Sequence, residues 1–226
     1  PSHSVQRGNE VTMAEVLTRN NLLFILDGLR TTLYISALSI ALSLVFGTAL
    51  GVMRSLTRGI PQKIAAVYIE VVRNIPNLLW IYVVFVVFRL KSIQAGVVSF
   101  TIFTSAAIGE IVRGGLNSVN KGQWEAARSQ GFTFLQILLY IVLPQAIRNI
   151  LPAIVSQFVT VVKDTSLLWS VVAIQELTGK ITILVGKFSR VEQFFLLYGI
   201  MTLIYFVVNF VISQISRRLQ KRWAHH

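Results

Sequence analysis

Long uncharged apolar runs, each closed off by charged residues, are the dominant pattern of this chain. The runs 31–53, 92–109 and 193–216 carry no Lys, Arg, Asp or Glu. A helix needs roughly 20 mostly apolar residues to cross the hydrocarbon core, so each run predicts a membrane span. The run 74–88 is too short alone and predicts a second span only if the helix starts near Ile64, carrying Glu70 and Arg73 within it. The centre of the chain is less regular. Runs 129–147 and 149–162 lie end to end, with Pro144 and Pro152 inside them. An interior proline removes a helical hydrogen bond and clashes with the preceding turn. The pattern is therefore read as a helix over 134–148 at the membrane edge and a fourth span over 150–172. That makes five spans, an all-α integral membrane fold, and termini on opposite sides. Ser39, Ser43, Gly47 and Gly51 place a small residue at every fourth position of the first span. Such a stripe admits another helix closely, either within one subunit or between two.

Composition agrees with that pattern and removes several function classes. Of 226 residues, 54% are hydrophobic and 13% charged. A soluble domain carries about 25% charged residues, so this chain cannot cover a globule with polar surface. Ordinary cytosolic enzymes and disordered tails are excluded. With no cysteine, thiol catalysis, disulfides and cysteine-ligated metal sites are excluded too. The net charge of +12 invites a nucleic-acid reading. That needs basic residues gathered on one solvated face, whereas here they punctuate apolar runs, so nucleic acid is rejected as a partner. Cytoplasmic loops of membrane proteins collect Lys and Arg. The densest basic clusters, 54–63 and 217–222, fall on one side of a five-span layout, which predicts the N-terminus outside and the C-terminus inside. Residues 1–21 form a polar N-terminal segment on the outer side without a signal-peptide pattern. Residues 22–218 form one membrane domain, and 219–226 a basic cytoplasmic tail.

The segment after the third span reads Gly122-Gln123-Trp124-Glu125-Ala126-Ala127-Arg128-Ser129-Gln130-Gly131. Ile141-Val142-Leu143-Pro144 follows after nine residues. Glu125–Gln130 favours a short helix, and Gly131 stands where a helix end accepts positive φ. The full spacing, Glu-Ala-Ala, three residues, Gly, nine residues, Ile-x-Leu-Pro, resembles the EAA loop of the permease subunits of ABC importers. Gln145-Ala146-Ile147-Arg148, Leu151-Pro152 and Lys163-Asp164-Thr165-Ser166-Leu167 extend the match. Glu110-Ile111-Val112-Arg113-Gly114-Gly115, Lys121-Gly122-Gln123-Trp124 and Arg73-Asn74-Ile75-Pro76 are similar to the polar amino acid branch. The resemblance runs from about Gly28 to Arg218.

The resemblance implies a type I importer permease in the cytoplasmic membrane of a prokaryote, with its coupling loop at 120–144. Trp124, Glu125, Ala126, Ala127, Arg128 and Gly131 would then dock on an ABC ATPase subunit. It also implies a second permease, either another copy or a paralogue, an extracytoplasmic solute-binding protein and a polar amino acid as cargo, with lipid around the bundle. The chain has no P-loop. Gly179-Lys180-Ile181 lacks both the first glycine and the hydroxyl after the lysine, so ATP and Mg belong to the partner and the chain itself takes no cofactor. No catalytic or metal-ligating residues are expected. Ionisable and polar residues within spans are candidate pathway groups. Lys163, Asp164, Thr165 and Ser166 offer both charge signs to a zwitterion, or pair among themselves. Pro76 frees a backbone carbonyl beside Asn74 and Asn77, which serves either a pathway or a packing kink. Thr104 and Ser105 either face the pathway or bond back to their own helix. Glu110 with Arg113, and Glu70 with Arg73, read as ion pairs at three-residue spacing. The competing class is an ion-coupled secondary transporter of small polar solutes, for which neither internal repeats nor a mid-membrane ion site is visible.

Overall fold

The computed structural model describes residues 14–224, with side chains described to Arg218. Residues 1–13 of the polar N-terminal segment and the side chains of the basic tail lie outside this range. From Arg19 onward nine helices carry the described chain: α1 (Arg19–Leu56), α2 (Ile60–Asn74), α3 (Asn77–Phe88), α4 (Ser92–Asn117), α5 (Lys121–Ser129), α6 (Phe134–Asp164), α7 (Leu167–Val172), α8 (Leu177–Val185) and α9 (Val191–Ala224). In lipid, backbone N–H and C=O groups find no water, so a helix that satisfies its own groups is the natural spanning element.

The α1–α4 seam sets the topology. Ser39 Oγ donates to the Val97 carbonyl at 3.4 Å, and Ser43 Oγ to that of Thr101 at 3.4 Å. Gly47 and Gly51 continue the row against Ser105 and Gly109: a Cβ at Gly47 would stand 2.8 Å from the Ser105 carbonyl, and one at Gly51 2.6 Å from that of Gly109. Every contact has the same offset of 58 residues, so the two helices run parallel. The small-residue stripe thus packs within the subunit. Small side chains let the two backbones approach, and van der Waals contact then holds them.

Because α1 and α4 run the same way, segment 57–91 must carry the chain back across. It does so as a broken pair, α2 and α3, bent by 106° at Ile75–Pro76. The expected single span starting near Ile64 is therefore two helices. Pro76 cannot donate to the Val72 carbonyl, and the Trp80 indole Nε1 takes that acceptor instead at 3.2 Å.

The central region departs further from expectation. Instead of an edge helix over 134–148 and a span over 150–172, Phe134–Asp164 is one 31-residue helix. It absorbs Pro144 through a π-helical stretch, Ile137–Val142, placed just before the proline. The wider turn removes the need for the proline N–H, and Gln145 Nε2 caps the Ile141 carbonyl at 2.8 Å. Pro152 sits inside the helix. The helix stops where Thr165 and Ser166 hydroxyls bond back to the Val162 and Lys163 carbonyls, and residues 167–172 form the separate α7.

α6 runs antiparallel to α4, with Asn149 on Ser118 and Ile150 against Gly115. α9 runs antiparallel to α6, so the ends of α1, α4 and α9 and the whole of α5 share one face. Among the described residues, four helices are long and apolar enough to cross a membrane, and there are five spans when the bent pair is counted as one. Three apolar clusters fill the bundle. One surrounds Phe100 and Ile81, one joins Ile108, Ala127 and Ile137 near α5, and one joins Ile25, Leu177 and Leu197 at the far face.

A leucine at position 47 would collide with Ile108, whose Cβ lies 2.7 Å from a Cβ built there. Gly47→Leu is expected to lose about 1–3 kcal/mol of stability. Gly199→Ala, with open space around it inside a helix, is expected to cost no stability. Thermal unfolding in detergent checks both.

Candidate functional site

The segment 120–136 is built from three successive local devices. Asn120 caps α5, its Oδ1 accepting from the Gly122 N–H at 2.8 Å. At the other end Gly131 has φ +83°, a left-handed conformation that glycine adopts without Cβ strain. Its N–H donates to the Arg128 carbonyl at 2.9 Å, and the Phe132 N–H donates to that of Ala127 at 3.1 Å. This paired pattern is the Schellman closure of a helix. Thr133 and Gln136 then form a reciprocal capping box that starts α6.

These closures fix which residues α5 presents. Ala127 is buried against Ile137 and Val142, and Trp124 stacks on Phe134 with ring centroids 5.6 Å apart. Glu125, Ala126, Arg128 and Gly131 are exposed. The two alanines therefore do not share one face: Ala126 is presented and Ala127 anchors. A short helix with a flat outer face is held by packing to the end of α4 and the start of α6.

Beside it stands an ion cluster joining three helices. Glu110 on α4 accepts from Arg113 at 2.6 Å, from Arg54 of α1 at 3.1 Å, and lies 3.8 Å from Arg73 of α2. Glu70 pairs with Arg54 at 2.7 Å rather than with Arg73. The expected Glu110–Arg113 pair is present, but the Glu70–Arg73 pair is replaced by contacts between helices. Sequence spacing along one helix reveals (i, i+3) neighbours only, and Arg54 lies on another.

The membrane-interior candidates separate into two groups. Asn77 Nδ2 donates to Asp164 Oδ2 at 3.1 Å, bringing the start of α3 to the end of α6. Asp164 does not bond Lys163, which is exposed and makes no ion pair among the described residues. Thr165 and Ser166 spend their hydroxyls on the turn that ends α6. Pro76 is the exposed N-cap of α3. Thr104 and Ser105 lie apart from these in the bundle core. Ser105 Oγ meets the Tyr68 hydroxyl at 3.1 Å and donates to the Ile102 carbonyl, whereas the buried Thr104 hydroxyl has no partner.

One polar centre escapes sequence reading altogether. Glu176 is fully buried and caps α8, accepting from the N–H groups of Thr178 and Gly179 at 2.9 Å each. It also accepts from the Thr32 hydroxyl at 3.2 Å and the Tyr205 hydroxyl at 3.1 Å. Thr32 lies on α1 and Tyr205 on α9, so one carboxyl ties three helices at the face opposite α5. Nearby, Lys180 pairs with Asp27 at 2.8 Å and lies over the Phe24 ring. A lone glutamate beside Leu177 gives no sequence signal beyond a helix cap.

Fold and site together define a multi-pass helical membrane protein that projects a rigid helix from one face. The signature of the family described as binding-protein-dependent transport system inner membrane component matches residues 43–225, and the chain belongs to that family. It is 40% identical over 210 residues to the probable glutamine ABC transporter permease protein GlnP of Bacillus subtilis (strain 168), covering 91% of this chain and 96% of that one. It is 33% identical to the glutamine transport system permease protein GlnP of Escherichia coli (strain K12), covering 88% and 92%. Among solved structures, an amino acid ABC transporter crystallised with histidines matches with TM-score 0.81 and 30% identity, over 89% of this chain and 94% of that one. The MetNI methionine ABC transporter, at 20% identity and TM-score 0.73, shares the fold.

Burial pushes the Glu176 carboxyl above the usual glutamate range, although its four donors favour the anion. A raised acid is bound to its proton more firmly in the folded protein. Its contribution to stability is therefore greatest at low pH and falls as pH rises from the ordinary glutamate value through the raised one. As pH rises above the ordinary glutamate value of about 4, the wild-type unfolding temperature is expected to fall relative to Glu176→Gln, which cannot ionise. Parallel pH profiles of the two would overturn the assignment.

Proposed function

We propose that this chain is the permease subunit of an ATP-driven importer that carries a polar amino acid, glutamine first among candidates. Family membership, the two glutamine permease relatives and the α5 knob support this reading. A second permease, a copy or a paralogue, completes the pathway. Two ABC ATPase subunits bind on the α5 face, which is the cytoplasmic face, and hold the ATP and Mg. A solute-binding protein delivers cargo at the opposite face. The C-terminus is then inside and the N-terminus outside. No observation favours the ion-coupled alternative.

The single observation that carries the mechanism is that α5 has no freedom of its own. Ala127 and the Trp124–Phe134 stack fix it to α6, and the apolar cluster around Ile108, Val112, Val142 and Ala146 fixes α6 to α4. The Glu110 cluster extends that body to α1 and α2. A force applied to the exposed Glu125, Ala126 and Arg128 surface by a closing ATPase pair therefore moves helices rather than a loop. Packed cores switch between discrete arrangements instead of deforming continuously, which suits alternating access. Asn77 and Asp164, tied across the α3–α6 gap, and the unpartnered Thr104 hydroxyl are the groups of the pathway that such a shift would rearrange.

Proline at position 131 fits neither φ +83° nor the N–H bond to Arg128. In proteoliposomes containing the ATPase and binding protein, Gly131→Pro is expected to cut ATP-driven glutamine uptake by about tenfold. Glutamine capture by the binding protein is expected to stay unchanged. Glu125→Arg, at an exposed position, is expected to act in the same direction without affecting folding. Normal coupled uptake in both variants would sink the coupling role.

A further inference from the structure

Two polar stripes face each other between α6 and α9. On α6, Ser156, Thr160 and Lys163 recur at helical spacing. On α9, Asn209, Ser213 and Arg217 do the same. Ser156, Thr160, Lys163, Ser213 and Arg217 line a groove of about 500 Å3, and Lys163, Ser213 and Arg217 also line an overlapping hollow that reaches Asn209, Tyr205 and Thr202. From Thr202 to Arg217 the α9 stripe rises about 22 Å, most of the hydrocarbon thickness. Membrane helices seldom carry polar residues on lipid-facing surface; such residues face a bundle interior or a water-filled cavity. The remainder of α9 obeys the rule, for Val207 and Val211, on its other side, are exposed and apolar.

The charge of the groove is one-signed. Lys163 and Arg217 both line it, and neither makes an ion pair among the described residues. No carboxylate lines it. Asp164, next to Lys163 in sequence, bonds Asn77 and does not line the groove. Asn209 donates its Nδ2 to the Tyr205 carbonyl, while its Oδ1 is buried without a partner, an unmet acceptor that a turn of the side chain would bring to a solute in the hollow. Glutamine presents a carboxylate to the cations and amine and amide N–H groups to that acceptor.

We propose that the α6–α9 groove is one wall of the translocation path, with Lys163 and Arg217 drawing in the carboxylate end of a zwitterionic or acidic amino acid. The assignment rests on the permease reading and adds to it the residues that choose the sign of the cargo. A cleft lined by one sign of charge concentrates ions of the other sign.

The natural absence of cysteine makes the test direct. Ser156→Cys, Ser213→Cys and Val211→Cys, each in the complex reconstituted with its ATPase and binding protein, are treated with sulfonatoethyl or trimethylammonioethyl methanethiosulfonate. Adduct formation on this chain is read by mass. At positions 156 and 213 the anionic reagent is expected to react about tenfold faster than the cationic one. Arg217→Gln is expected to reduce that preference at position 213, and glutamine under turnover to slow the labelling. Val211→Cys is expected to react with neither reagent. Equal rates for the two charges, or a position 213 as inert as position 211, would overturn the groove assignment. Glutamine uptake by the same proteoliposomes separates the two failures: uptake without charge preference removes the groove alone, and no ATP-driven uptake by wild-type protein removes the permease reading and the groove with it.

Discussion

Close backbone approach between α1 and α4 is the constraint on which the rest of this structure depends. Ser39, Ser43, Gly47 and Gly51 keep the two helices in contact over about three turns at one fixed register. Within lipid there is little hydrophobic force to draw helices together, so packing and interhelical hydrogen bonds must hold them. The parallel direction of this seam has a topological consequence. The chain between the two helices has to return across the membrane, and it returns as the bent pair α2–α3. That bend in turn carries Asn77 to Asp164 and Glu70 and Arg73 to the Arg54–Glu110 cluster.

The two faces of the bundle are fastened by different chemistry. At the α5 face, Glu110 gathers Arg54, Arg73 and Arg113, all partly open to solvent, so each pair is individually modest and the cluster gains from sharing already ordered side chains. At the opposite face, Glu176 is fully buried and is met by four neutral donors. A solvent-touched ion network tolerates rearrangement better than a buried carboxyl, whose loss of even one donor exposes an unmet desolvation cost. The fastening that joins the driven helices is thus the more yielding of the two.

Three prolines within the spans are accommodated in different ways. Pro76 breaks a span, and the carbonyl it abandons is taken by Trp80. Pro144 is accommodated by the π-helical stretch ahead of it, with Gln145 capping Ile141. Pro152 lies within α6, one helical turn before the polar stripe that begins at Ser156. Residue identity alone does not tell these cases apart, because the outcome depends on which side chain reaches the freed carbonyl.

Much was legible in the sequence, for identifiable reasons. Uncharged run length reports the bilayer thickness, so the spans at 31–53, 92–109 and 193–216 lie within α1, α4 and α9. The small-residue stripe reports close helix contact. Gly131 reports a left-handed helix end, since that conformation is strained for other residues. What the sequence could not decide was every relation between elements far apart in it. The partner of Arg54, the encirclement of Glu176 by α1 and α9, the pairing of Asp164 with Asn77 and the facing of two polar stripes all join residues dozens of positions apart. A kink at Pro76 was legible, but its opening to 106° and the single helix through Pro144 were beyond it. Local periodicity fixes which way a side chain points from its own helix, whereas the partner it meets is chosen only when the helices pack.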